Sequence, residues 1–90
     1  MIALSSIESL FFLGIGGIGM SALARWFAAR GCHVEGYDRT PSPLTRELEE
    51  EGIRIIYTDS PEEVAERNWT VVWTPAVPVQ TRLYQYFRNR

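Results

Sequence analysis

Phe11-Phe12-Leu13-Gly14-Ile15-Gly16-Gly17-Ile18-Gly19-Met20-Ser21 is an apolar run that breaks into four glycines and then resumes with helical spacing. It reads as strand, tight turn and helix start. Glycines at this density leave successive backbone N–H groups uncovered by side chains, at the positive end of the helix that follows, which is where a phosphate or diphosphate binds. Gly14-x-Gly16-x-x-Gly19 has the spacing of a dinucleotide fingerprint. The first glycine makes the turn, the second admits a diphosphate to the backbone, and the third brings helix and strand together. A tight turn with no ligand is the alternative.

Working outward, Leu10 to Leu13 is a continuous apolar run, as in a strand buried on both faces. Met20, Leu23, Ala24 and Phe27 fall at i, i+3, i+4 and i+7 and predict one apolar helix stripe closed by Gly31. A second strand is expected over His33 to Asp38. Ser42 is a candidate N-cap with Pro43 at N1 of a second helix running from Leu44 to Glu51. A third strand follows over Ile53 to Tyr57. Ser60-Pro61-Glu62-Glu63 has the form of a capping box and predicts a short third helix through Arg67. Trp69 to Thr74 is expected as a fourth strand. A stiff Thr74-Pro75-Ala76-Val77-Pro78 loop comes next, then a last helix from about Thr81. Met1 to Ser9 reads as a leading arm.

Strands alternating with helices predict an α/β fold, Rossmann-like and three-layered, with a parallel sheet of about four strands in the order 3-2-1-4 and helices on both faces. The 90 residues make one domain, and 46% apolar residues suffice for a core. Leu83 and Phe87 in the last helix need a cover. They raise the expectations that the chain is part of something longer and that it self-associates through this helix.

The formal charge of −2 and the absence of Lys exclude a basic field for nucleic acid or an anionic membrane. They also exclude a P-loop, which needs a Lys on the β/γ phosphates. One cysteine, Cys32, rules out an internal disulfide, and with His33 as the sole histidine no zinc-type ligand set exists. A reducing cytoplasm fits, and no targeting segment is recognisable.

Asp38 lies at the end of the second strand, where a carboxylate accepts hydrogen bonds from a ribose diol; the alternative is an Asx turn capping the Arg39-Thr40-Pro41 loop. The acid argues against a 2′-phosphate, although Arg39 beside it would suit one. Thr74 and its loop leave the fourth strand beside the first and would form the other wall of the crevice at the topological switch point, or else a plain strand exit. Thr45, in the first turn of the second helix, either faces the crevice or is an exposed helix residue. Cys32 is expected as a small buried hydrophobe. His33 is expected in surface or strand-edge packing, and Trp26, Trp69 and Trp73 in the core or its rim.

Phe12-Leu13-Gly14-Ile15-Gly16-Gly17-Ile18-Gly19-Met20-Ser21, Gly36-Tyr37-Asp38, Pro43-Leu44-Thr45 and Thr74-Pro75-Ala76-Val77-Pro78 together resemble the N-terminal domain of the Mur ligases, in particular the branch that adds L-alanine. The resemblance runs from about Ile7 onward. It implies that the domain grips the UDP moiety of UDP-N-acetylmuramate. Gly14, Gly16, Gly17, Ile18 and Gly19 would serve the diphosphate, Asp38, Arg39 and Thr45 the ribose and nucleoside, and Thr74, Pro75 and Ala76 the crevice wall. It implies no cofactor, metal or catalytic residue in this domain. ATP and Mg belong to a central domain, and that domain and a C-terminal one would be absent here, leaving these 90 residues inactive alone. A regulatory NAD-binding module is the alternative reading of the same glycines and Asp38.

Overall fold

A computed structural model describes residues 6–90. Four strands, β1 (Ser9–Leu13), β2 (His33–Tyr37), β3 (Arg54–Ile56) and β4 (Thr70–Trp73), pair in parallel in the order β3-β2-β1-β4. The expected order therefore holds. β1 lies centrally and all five of its residues are buried, which is what its uninterrupted apolar run requires.

Alternation along β1 divides the core between the two faces. Leu10 and Phe12 join Val34 and Ile55 under α1 (Ile18–Ala29) and α2 (Pro43–Glu50), where Ala24, Phe27 and Leu48 close the layer. Phe11 and Leu13 join Tyr37 and Ile56 under α3 (Arg82–Arg88), whose Leu83 is fully buried. Phe87 packs on the same cluster, its ring 4.9 Å from that of Phe11. Leu83 and Phe87, taken from sequence as lacking cover, are thus covered by the sheet itself.

The expected third helix does not form. Pro61–Glu63 makes a single 3-10 turn, and Ser60 makes no side-chain cap. Glu63 does not reach back to Ser60; its carboxylate accepts the Thr58 hydroxyl at 2.6 Å. Without the reciprocal box there is no helix nucleus, and Val64 turns into the core instead. The α1 stripe is also displaced from expectation. Met20, Ala24 and Phe27 face the sheet, but its flank runs through Ser21 and Ala28, and Leu23 is left 41% exposed.

Of the leading arm, residues 1–5 lie outside those described; Ser9 at its end is already a buried member of β1. No helix among the described residues is long and apolar enough to cross a membrane.

Candidate functional site

The turn after β1 is built on Tyr37. The backbone N–H groups of Gly14 and Ile15 both donate to the Tyr37 carbonyl, at 2.8 and 3.0 Å, which ties the ends of β1 and β2 together. Gly14 has φ 92°, and a Cβ there would stand 2.5 Å from the Thr74 methyl, so the position demands glycine on two counts. The Gly17 N–H folds back to the Gly14 carbonyl at 3.2 Å, and Gly17 then serves as N-cap of α1 without a capping side chain. The first-turn N–H groups of Ile18, Gly19 and Met20 have no acceptor within the helix, because an α-helix pairs its amides only from the fourth onward. Ser21 is the first amide so paired, to Gly17.

Gly16 is used differently from its neighbours. Its N–H donates to one carboxylate oxygen of Asp38 at 2.8 Å, and a Cβ on Gly16 would lie 2.6 Å from that oxygen. The other oxygen accepts the Thr40 N–H at 3.0 Å, so the Asx turn considered from sequence is present. Asp38 does both jobs: it caps the loop after β2 and clasps the glycine turn.

Thr45 stands behind this clasp rather than in the crevice. It is completely buried, its methyl is 3.0 Å from the place of a Gly16 Cβ, and its hydroxyl is engaged with Ser42. The Ser42 N–H donates to Thr45 Oγ1 at 2.8 Å while the Thr45 N–H donates to Ser42 Oγ at 3.1 Å, a reciprocal capping box for α2. Neither the buried Thr45 nor the Gly16 backbone lines the open space, and the Ile18 side chain is 85% exposed.

The opposite wall comes from the loop after β4. The Val77 N–H donates to the Thr74 carbonyl at 2.9 Å and the Ala76 N–H to Thr74 Oγ1 at 3.4 Å, while the Val77 side chain is buried against the turn at Gly14. Between the walls lies a crevice of about 680 Å³. It brings together Gly14, Gly17 and Gly19 on one side, Asp38 and Arg39 at the β2 end, and Thr74, Pro75 and Ala76 across from them. This is the carboxyl end of the sheet where β1 separates strands wound in opposite directions, the place where open α/β sheets bind ligands.

Three further residues line the crevice that sequence reasoning did not assign to it, Met20, Tyr37 and Trp73, while Val77 and Pro78 fall in the loop expected as its far wall. Tyr37 and Trp73 each immediately precede an assigned residue, which was the available signal. Burial raises the Tyr37 phenol above the usual tyrosine range, with the Asp59 and Asp38 carboxylates adding to the effect and Arg39 opposing it. Arg39 and Asp38 are the one cation and the one anion among the lining residues described.

The remaining distinctive residues lie elsewhere. His33, at the start of β2, approaches the buried carboxylate of Glu35 at 2.7 Å and stacks near Trp69; Glu35 also receives Arg54 at 3.3 Å. Nothing in the local sequence pattern pointed to this buried acid. Cys32 is only partly buried, its thiol 3.4 Å from the Ile7 carbonyl. Trp26 and Trp73 sit on the rim, 40% and 38% exposed. No group of three or more His, Cys, Asp or Glu among the described residues is placed to hold a metal ion.

With this geometry in view, comparison with known proteins is specific. Residues 10–90 match the family described as Mur ligase family, catalytic domain. The chain is 48% identical over 91 residues to the UDP-N-acetylmuramate–L-alanine ligase of Cytophaga hutchinsonii, covering 96% of this chain and 20% of that protein. It is 50% identical over 91 residues to the ligase of the same name from Flavobacterium johnsoniae, covering 97% of this chain and 20% of that protein. The crystal structure of UDP-N-acetylmuramate-alanine ligase from Thermotoga maritima superposes with a TM-score of 0.77 at 32% identity, over 92% of this chain and 19% of that one. The chain thus spans about a fifth of the length of these relatives. A family match across all four strands and both crevice walls admits one conclusion: this chain belongs to the Mur ligase family.

Proposed function

We propose that the crevice holds the UDP moiety of UDP-N-acetylmuramate, and that the chain is the N-terminal, nucleotide-gripping domain of an ATP-dependent ligase that adds L-alanine in peptidoglycan precursor synthesis. The observation that carries this reading is the convergence, on one crevice, of an uncapped α1 N-terminus and the Asp38 carboxylate. The diphosphate sits at the first turn of α1, where the Ile18 and Gly19 N–H groups and the helix dipole favour an anion. Gly14 and Gly17 keep the approach clear. Gly16, whose N–H is already given to Asp38, serves the diphosphate less than it serves that acid. Asp38 retains lone pairs for a ribose diol, Arg39 supplies positive charge at the mouth, and Thr74, Pro75 and Ala76 close the far side. Thr45 supports Asp38 from behind. The names of the relatives, each a UDP-N-acetylmuramate–L-alanine ligase, support the choice of uridine nucleotide.

ATP and Mg would supply activation of the muramoyl carboxylate in the parent protein. The residues of this chain do not fit such a site, since it has no Lys and no G-x-x-x-x-G-K-[ST] string. Its part is to bind and orient, in the cytoplasm where that synthesis takes place. Titration with UDP-N-acetylmuramate, UDP and NADH, followed by amide chemical shifts, tests the assignment. Gly17, Ile18, Gly19 and Met20 are expected to respond to both uridine nucleotides. A response to NADH with none to UDP would leave the NAD module as the correct reading. Alanine-dependent ATP hydrolysis by these 90 residues alone would contradict the division of labour.

A further inference from the structure

We propose that Trp73 is the positioning residue of the crevice: its indole holds the loop from Thr74 to Pro78 in place against the glycine turn before any nucleotide arrives. Trp73 is the last residue of β4, and its Nε1–H reaches forward over the loop to donate to the Val77 carbonyl at 3.0 Å. The backbone turn from Val77 to Thr74 closes the same segment from within. The loop is therefore fastened twice, once within itself, by the Val77 and Ala76 N–H groups on Thr74, and once by this side chain.

The second fastening matters because the loop is poor in donors. Pro75 and Pro78 have no N–H, so the hydrogen bonds that hold this wall come from few groups. What the indole fixes is the residue that meets the turn. The Val77 methyl lies 3.1 Å from the place of a Gly14 Cβ, and the Thr74 methyl lies nearer still. On its other side Trp73 is anchored to α3, its ring 5.0 Å from that of Tyr84. A 38% exposed tryptophan that gives its one donor to the loop, packs its ring on Tyr84 and also borders the crevice is placed to preorganise the wall.

Only the affinity readout of the following test rests on the uridine-nucleotide reading. Trp73→Phe keeps an aromatic ring beside Tyr84 and removes the N–H. Amide exchange at Ala76 and Val77 is expected to accelerate about tenfold, and the Kd for UDP to rise about tenfold because the loop must then be ordered on binding. Trp69→Phe, which removes an indole bond to the Ala65 carbonyl, is the control and leaves both quantities unchanged. Unchanged exchange at Ala76 and Val77 in Trp73→Phe overturns the proposal. So does faster exchange with undiminished UDP affinity. If the unsubstituted protein ignores UDP, the nucleotide assignment fails, while the exchange rates still decide the role of Trp73. Should Trp73→Phe not fold, the unsubstituted protein gives the answer: the Trp73 indole proton is expected to exchange slowly and to shift on addition of UDP, and exchange at the rate of free tryptophan refutes the bond.

Discussion

The Gly16 N–H donates to the Asp38 carboxylate at 2.8 Å, so the middle of the glycine turn is joined to the end of the neighbouring strand by an acid that lines the crevice. Replacing Asp38 with Ala removes acceptors for two backbone amides, those of Gly16 and Thr40. The expected loss is about 1–3 kcal/mol of stability in urea unfolding, with UDP affinity falling more than about tenfold where a ribose hydroxyl loses its charged acceptor. Asp38→Asn, which keeps the shape and one oxygen, is expected to fall between the two. Calorimetric titration alongside the unfolding curves separates the stability effect from the binding effect.

Gly14 and Gly31 both have positive φ, at 92° and 86°, yet only Gly14 is crowded. Gly31→Ala meets open space and is expected to cost about 1 kcal/mol of backbone strain. Gly14→Ala meets the Thr74 methyl as well and is expected to cost a further ~1–3 kcal/mol. Denaturant midpoints for the pair check this; equal midpoints would show that the turn and the Thr74 loop do not press on each other.

The helix α3 is capped from a distance. Thr81 at its N-cap makes no side-chain bond, and the Asp59 carboxylate accepts the N–H groups of Arg82 and Leu83 instead, each at 2.8 Å. Asp59→Ala is expected to lose about 1–2 kcal/mol. It should also raise amide exchange at Arg82 and Leu83 ahead of the rest of the chain, a local signature that exchange mass spectrometry or NMR reads directly.

Burial raises the Tyr37 phenol, and burial together with Glu49 raises that of Tyr57 against an opposing effect of the Thr45 hydroxyl. The folded chain thus holds both protons more tightly than the unfolded chain does. Their contribution to stability is whole below about pH 10 and is lost as pH climbs through the raised values. Glu51 works in the opposite sense. The Arg25 hydrogen bond lowers its pKa, so its small, solvent-screened contribution is present above the ordinary carboxylate range and lost as pH falls. Melting temperature is expected to drop at the alkaline end, and less steeply in Tyr37→Phe; identical alkaline slopes in the two proteins would remove Tyr37 from the account.

Much of the sheet was legible because its signals are local. The run at Leu10 to Leu13, the glycines after it and the capping residues Ser42 and Pro43 each act within a few residues. The crevice residues Gly14, Asp38 and Thr74 follow from knowing where parallel strands end. Most of what could not be read depends on partners distant in sequence, and the rest on a competing neighbour. Thr45 looked like a surface helix residue or a ligand contact, and it is buried with its methyl packed behind Gly16. Ser60 to Glu63 has the letters of a capping box, but Thr58 takes the Glu63 carboxylate. Asp59 as the cap of α3 and Arg54 on the buried Glu35 exist only once distant parts of the chain are brought together.

The register of the sheet carries a kinetic consequence. β1 meets β2 and β2 meets β3 through successive crossovers, whereas Leu10 meets Thr70 only after nearly all of the intervening chain has been threaded into place. That pairing closes the longest loop in the fold, so entropy makes it the slow one, with a nucleus expected in β1-α1-β2. The crevice has one wall on each side of this last seam. A nucleotide bound across it contacts structure that forms late and opens early, and should act on the lifetime of the folded state, slowing its unfolding far more than it hastens its formation.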